Sequence, residues 1–269
     1  MVIRKPAVSG RFYPSDRSEL RRLVDEYLTP AEHRLRAVGL VVPHAGYIYS
    51  GHVAGAVYSC VEFGERIIVL CPNHTGFGAP LSIMKSGSWR TPLGEVRIDE
   101  ELSGALIAAD PYLQDDIEAH RFEHAIEVQL PFLQSCGSFD ARFVPITIGT
   151  ANLERLQELG NAIARVIAAV APGTMIIASS DMNHYESDSI TRVKDRKAID
   201  RILAMDAEGL FDVVRGESIS MCGYGPAVAM LTAARLSGAT KAELVKYATS
   251  ADVSLDYDHV VGYAGIIVS

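Results

Sequence analysis

An α/β fold, with a central, largely parallel or mixed sheet flanked by helices, is what this sequence predicts. Three observations carry that expectation. Short β-branched apolar runs alternate with segments of helical period along the chain. The runs are almost continuously apolar, as expected for strands covered on both faces. Three of them end alike, in a turn that carries a histidine within a few residues.

Taken in order, SDRSELRRLVDEYL (15–28) opens on a Ser or Asp cap and has a helical pattern. GLVVP (39–43) and RIIVLCP (66–72) follow as short buried strands. LSIMKSGSWRTPLGEVRID (81–99) interrupts the rhythm; its Thr-Pro-Leu-Gly centre suits a turn, so an antiparallel hairpin inserted at a sheet edge is expected. EHAIEVQLPFLQSC (123–136) reads as a helix with one apolar stripe, and ARFVPITIG (141–149) as a strand. The helix 152–173 begins at an Asn cap and stops at Pro-Gly before the strand TMIIASS (174–180). Helices at 188–205 and 225–238 and strands at 242–249 and 262–269 complete the set. No linker, low-complexity tract or internal repeat is visible, so residues 1–269 are expected to form a single domain.

Composition narrows the partners. The chain has 269 residues, 48% of them hydrophobic and 22% charged, which is too apolar for disorder and enough for a sizeable core. A net charge of −8 argues against nucleic acid, whose phosphates it would repel. The short basic run RVKDRK (192–197) is expected on a solvated helix face. No apolar stretch approaches the ~20 residues of a membrane span. The first sixteen residues lack the apolar core of a signal peptide, so a cytoplasmic location is expected. Four cysteines, Cys60, Cys71, Cys136 and Cys222, form no C-x-x-C pair and are expected to be free thiols.

The chemistry lies where GLVVPHAG, RIIVLCPNHTG and TMIIASSDMNH end, at His44, His74 and His184. Loops beyond the carboxyl ends of strands in an open α/β sheet converge on one crevice. Parallel neighbouring strands would therefore gather these histidines with Asp181. An isolated loop histidine is more commonly a hydrogen-bonding or surface residue; the threefold pattern raises the case for a site. Asp181 and His184 have the spacing of one helical turn, where a carboxylate can fix an imidazole tautomer, although Asp181 would also serve as a helix cap. Cys222, in SMCGYGPAV, precedes a helix whose unpaired N–H groups would favour a thiolate, suiting a metal ligand or a nucleophile; simple packing in a glycine turn is the alternative. His124 and Glu127, three apart on the expected helix with Glu123 beside them, read as support for a ligating histidine. Tyr47 and Tyr49 could donate hydrogen bonds in the cleft or merely pack. His33, His52, His120 and His259 are assigned no role.

With these segments in place the chain resembles the Memo family (mediator of cell motility), whose microbial members are labelled AmmeMemoRadiSam system protein B. The resemblance runs from AVSGRFYP through PHAGYIYSG, CPNHTG, WRTPLGEVRID, EHAIEVQLPFL, ASSDMNHY and CGYGP to the closing GYAG. It implies a fold like that of the class III extradiol ring-cleaving dioxygenases (LigB-like), which hold Fe(II) with two histidines and a glutamate. Carried over, His44 and His74 match the two histidines, and Cys222 takes the third ligand's place. Asp181 and His184 match other pocket residues, His184 lying near the acid/base histidine of the ring-cleaving enzymes. A thiolate in place of the carboxylate shifts preference toward copper or zinc and exposes the site to oxidation. The resemblance thus implies iron or copper, with zinc as a further candidate, in a metal-dependent redox protein or oxygenase with Asp181 and His184 as base or proton relay. It also implies company with an AMMECR-type protein and a radical-SAM protein. Against this stand a non-enzymatic module holding a small molecule, peptide or protein in the same cleft, and a hydrolase with Cys222 as nucleophile.

Overall fold

The computed structural model describes residues 2–29, 33–136 and 142–269. Its centre is four parallel strands, in spatial order Gly39–Val42, Met175–Ser179, Arg66–Pro72 and Arg142–Ile148. The expected strand 141–149 is therefore borne out from Arg142; Ala141 lies outside the described residues. Antiparallel strands extend both sides. Val260–Val268 lies beside Gly39–Val42 and carries Ala242–Thr249 and the short His184–Glu186. Leu81–Ile83 lies beside Arg142–Ile148, with Gln114–Asp115 beyond it. The sheet is mixed, with a parallel core.

Strict alternation along the central strands divides the apolar side chains between two layers. Ile68 and Leu70 join one core with the helices Leu153–Val170, Asp188–Leu203, Ala207–Gly216 and Tyr224–Leu236. Ile67, Val69 and Cys71 face the other, with Arg17–Tyr27, Tyr47–Ser59 and Leu130–Cys136. Each fully buried Leu, Ile or Val contributes roughly 1.5–3 kcal/mol from this burial. Helix Tyr47–Ser59 is buried on most sides, so no single apolar stripe marks it in the sequence. It crosses Arg17–Tyr27 closely at Gly55, where a Cβ would lie 2.4 Å from the Tyr27 carbonyl oxygen. Among the described residues no helix is long and apolar enough to cross a membrane.

Three expectations are corrected. Residues 123–136 are not one helix: a turn precedes a 3₁₀ segment, Glu127–Gln129, and then the helix Leu130–Cys136. Pro131 explains the break, because its ring would clash with the residue-127 carbonyl in a continuous helix but is tolerated in a first turn. The segment 81–99 splits: Leu81–Ile83 joins the main sheet, while Ser88–Thr91 and Gly94–Arg97 form the expected hairpin in a separate sheet with Ile3–Arg4. Asp181 and His184 do not share a helical turn. His184 begins a strand, and the next helix is preceded by Ser187, so Asp181 is not its cap.

Glu127 does not pair with His124. Fully buried, it binds the Arg4 guanidinium and accepts from the Ala7 N–H (2.7 Å), the Val8 N–H (3.0 Å) and the Tyr13 hydroxyl (2.6 Å). Arg4 also stacks 4.1 Å from the Trp89 ring centre. The amino-terminal segment is thus tied to the segment that lines the cleft. Removing one partner of a buried pair strands the other, so Arg4→Met should cost about 3–5 kcal/mol in urea unfolding. A loss below about 1 kcal/mol would show that this pair does not hold the segments together.

Candidate functional site

The three adjacent strands Gly39–Val42, Met175–Ser179 and Arg66–Pro72 end at one edge of the sheet, and His44, Asp181 and His74 follow those ends directly. Their turns are built locally. Asn73 Oδ1 accepts from the backbone N–H of Thr75 (3.1 Å) and of Gly76 (2.9 Å), folding the turn on which His74 stands. Asp181 is buried, and its Oδ1 accepts the His44 backbone N–H at 2.7 Å. Cys222 comes from the other side of the sequence, immediately before helix Tyr224–Leu236. Gly223 lets that turn approach: a Cβ there would sit 2.4 Å from the Ser179 carbonyl oxygen.

Hydrogen bonding assigns the tautomers. Ser179 donates its one hydroxyl proton to the Ala125 carbonyl (2.7 Å) and accepts from the Gln129 amide (2.9 Å). His44 Nδ1, 3.0 Å from the same oxygen, must therefore be the donor, which leaves Nε2 with a lone pair. That nitrogen is 3.2 Å from Cys222 Sγ. His74 Nδ1 likewise donates to Glu123 Oε1 (2.9 Å), and Glu123 Oε2 accepts the His74 backbone N–H (2.7 Å). His184 Nδ1 donates to the Ser220 carbonyl at 2.9 Å. Ligand atoms of His44, His74 and Cys222 all lie within 4.8 Å of one another, a set that could hold a metal ion.

The sequence reading missed how His124, Glu123, Ser179 and Gln129 enter the site. His124 stacks on His74 with ring centres 4.8 Å apart and meets His44 edge-on at 5.4 Å. His74, Glu123 and His124 form a second set with ligand atoms within 4.8 Å. Support for His74 thus comes from Glu123, not Glu127. The signal was the Glu-His pair itself, masked by the assumption of a continuous helix. Tyr47 packs, donating to the Val128 carbonyl at 2.6 Å, whereas Tyr49 is exposed. Tyr185, beside His184, is an exposed aromatic in the left-handed region (φ 63°). Cys60, Cys71 and Cys136 are free thiols, as is Cys222.

Electrostatics keeps His44 and His124 neutral, but favours the proton at His74 and at the Cys222 sulfur. Burial, aided by the charge of His74, holds His44 well below 6.5. Burial also lowers His74, but the hydrogen bond and charge of Glu123 outweigh it and raise the imidazole. Burial would raise Glu123, yet the bond to His74 and the charges of His74 and His124 bring it down to about 2. Burial and His44 lower His124 to about 4. Asp181 is raised by burial. Burial, followed by the Asp181 carboxylate, pushes the Cys222 thiol well up, correcting the expectation of a thiolate poised by the helix. Cys222 precedes the helix cap Gly223, so desolvation outweighs the helix terminus.

A family profile described as Memo-like protein matches residues 4–267. The chain belongs to this Memo-like family. A MEMO1 family protein of Methanopyrus kandleri is 44% identical, the match covering 98% of each chain, and one of Methanosarcina mazei is 42% identical over the whole of both. A crystal structure of an uncharacterized protein from Escherichia coli K12 covers 85% of this Memo-like chain and 98% of its own, with a TM-score of 0.58 at 14% identity, a likeness of fold.

These pKa values fix one property of the metal-free protein. On unfolding, His124 binds a proton below pH 6.5 that it refuses in the folded state until about 4, so its contribution to stability falls with pH across that window. Asp195, held up to about 7 by burial, acts in the opposite sense, so the comparison must be with a variant. Between pH 6.5 and 5, chelator-treated parent protein should lose about 1 kcal/mol per pH unit more than His124→Gln, read by urea unfolding. Parallel curves would show that His124 titrates normally.

Proposed function

We propose that the cleft is a metal centre in which His44, His74 and Cys222 hold one iron or copper ion, in a protein that performs redox or oxygenase chemistry. The observation that carries this reading is the pair of locked imidazoles: each gives its Nδ1 proton to a buried acceptor, leaving Nε2 for a ligand beside Cys222. Donors of this kind, two imidazoles and a thiol, suit copper and iron, and zinc is the candidate without redox chemistry. A bound iron or copper ion would supply one-electron redox chemistry and a Lewis-acid position.

The chain's own residues do the remaining work. Glu123 orients His74 and balances its charge, and Ser179 does the corresponding task for His44 without a charge. Asp181 holds the His44 turn through the backbone N–H. His184, whose Nδ1 proton is committed to Ser220, offers Nε2 as the base that takes a proton from a bound ligand. A fold related to the class III extradiol dioxygenases belongs to this proposal, since the mixed sheet opens its cleft at the strand ends. Ring cleavage does not follow from the fold, because Cys222 stands where those enzymes place a carboxylate. A cysteine hydrolase is disfavoured by the raised thiol of Cys222, which leaves little thiolate to attack.

Protein purified without oxygen should contain about one iron or copper per chain, and Cys222→Ser should lose it. Because the Cys222 thiol is protonated in the metal-free protein, ion binding should displace about one proton from Sγ, measured by titration calorimetry in buffers of different ionisation enthalpy. His74 also releases a proton below its raised pKa, so release should increase on acidification. Binding without proton release at pH 8 would remove Cys222 from the ligand set. A protein that stays metal-free under anaerobic loading, yet binds peptides, would favour the binding module. Asp181→Asn should keep the fold and weaken metal affinity by roughly 10–100-fold; unchanged affinity would reduce Asp181 to a support of the loop.

A further inference from the structure

One buried side chain ties the segment that follows strand Met175–Ser179 to the loop that delivers Cys222. Asn183 is fully buried, and every polar atom it carries is engaged. Its backbone N–H donates to Asp195 Oδ1 (2.8 Å), and its carbonyl accepts from the Gly262 N–H (2.9 Å). Its side-chain oxygen accepts twice from Ser220, from the backbone N–H and from the hydroxyl, at 3.0 Å each. Its amide nitrogen donates to Glu186 Oε2 (2.7 Å) and to the Thr191 hydroxyl (3.3 Å). The Glu186 carboxylate only accepts and the Ser220 N–H only donates, so the amide cannot be turned round.

Ser220 hands this constraint on to His184. Its Oγ accepts the His184 backbone N–H at 2.7 Å, and its carbonyl oxygen accepts from His184 Nδ1 at 2.9 Å. A carbonyl cannot donate, so the second bond requires the proton on Nδ1 and leaves the lone pair on Nε2. Ser220 is itself exposed, and the buried group that holds it is the Asn183 amide. Two non-glycine residues in the left-handed region flank the clamp, Ser218 (φ 52°) and Tyr185 (φ 63°). Such conformations persist where their surroundings hold them. Lys194 of helix Asp188–Leu203 bridges the two sides, pairing with Glu186 (2.7 Å) and donating to the Ser218 carbonyl (3.2 Å). Two residues beyond Ser220 the same loop presents Cys222, and the Gly223 N–H donates to Ser180 Oγ at 3.0 Å.

We propose that Asn183 is a positioning residue of the cleft. By fixing Ser220 it keeps His184 in the Nδ1–H tautomer, the form that can take a proton at Nε2, and it sets the place of Cys222 on the same loop. A single buried amide would thus hold the base and the thiol in one frame. This rests on the reading of His184 as the base and Cys222 as a metal ligand, although the tautomer is a property of the metal-free chain as well.

Long-range nitrogen–proton NMR correlations on histidine-labelled, chelator-treated protein at about pH 8 report which ring nitrogen carries the proton. In the parent, His184 should be protonated on Nδ1. Asn183→Leu removes the acceptor for Ser220, and the Nε2–H form should rise about tenfold relative to Nδ1–H. Asn183→Asp should lose stability in urea, because two carboxylates then face each other, yet it keeps an acceptor toward Ser220 and should preserve the parent tautomer. A role in folding alone would shift the tautomer in both variants, and that result would overturn the proposal. Ser220→Ala, at an exposed position, should raise the Nε2–H form as well and decides the matter if Asn183→Leu does not fold. A parent with His184 protonated on Nε2, or an unchanged tautomer in Ser220→Ala and in folded Asn183→Leu, would defeat it. Cobalt titration, followed by the Cys222 thiolate-to-cobalt absorption, should show about tenfold weaker binding in Asn183→Leu; unchanged affinity would overturn the link to Cys222. A parent that binds no iron, copper, zinc or cobalt, with the tautomer effect intact, defeats the metal reading alone. Normal metal binding with no tautomer effect defeats this inference alone.

Discussion

A serine hydroxyl has one proton to give, and at Ser179 it goes to the Ala125 carbonyl. Gln129 and His44 must then both act as donors to the same oxygen, and the His44 imidazole is left with its free nitrogen facing Cys222. No charge is needed to set that tautomer, which suits a ring that burial keeps neutral. His74 reaches the same state by a different route, through a buried carboxylate that also holds its backbone N–H. The two imidazoles therefore present lone pairs for unlike reasons: one is desolvated and neutral, the other is partly exposed and tunable. His74 is where protons and a metal ion would compete.

One short segment serves four tasks at once. Between 123 and 129 the chain supplies Glu123 to His74, His124 to the stack of rings, Glu127 to the Arg4 anchor and Gln129 to Ser179. A regular helix would place residues 123, 127 and 130 on one stripe. The turn followed by a 3₁₀ segment instead aims the two glutamates at different targets. Proline at 131 limits how far the following helix can extend backward, so the break in regularity and the arrangement of the site have a common cause.

The thiol shows how weakly a local rule binds once the chain has folded. A cysteine ahead of a helix is expected to ionise readily, yet Cys222 is partly buried near the Asp181 carboxylate, and both effects favour the proton. Cation binding would reverse the balance by offering the sulfur a stronger partner than a proton. The same burial that makes Cys222 a poor nucleophile in the metal-free state keeps it from indiscriminate oxidation.

By itself the sequence determined the class of fold, the central strands and the identities of the polar residues at their ends, because apolar period and strand-end position are local properties. His44, His74 and Cys222 were named from those properties together with a family resemblance. Tertiary structure alone decided which strands are neighbours: 39–42, 175–179 and 66–72 lie side by side although more than a hundred residues separate two of them. It decided that Glu123 and not Glu127 supports the site, since both carboxylates look alike in a helical pattern and only the turn at 123–126 tells them apart. It placed helix Tyr47–Ser59, whose burial on most sides leaves no stripe to detect. Periodicity records which side of an element is buried; hydrogen-bond partners and protonation states depend on what other elements bring to that side, and that is a property of the assembled chain.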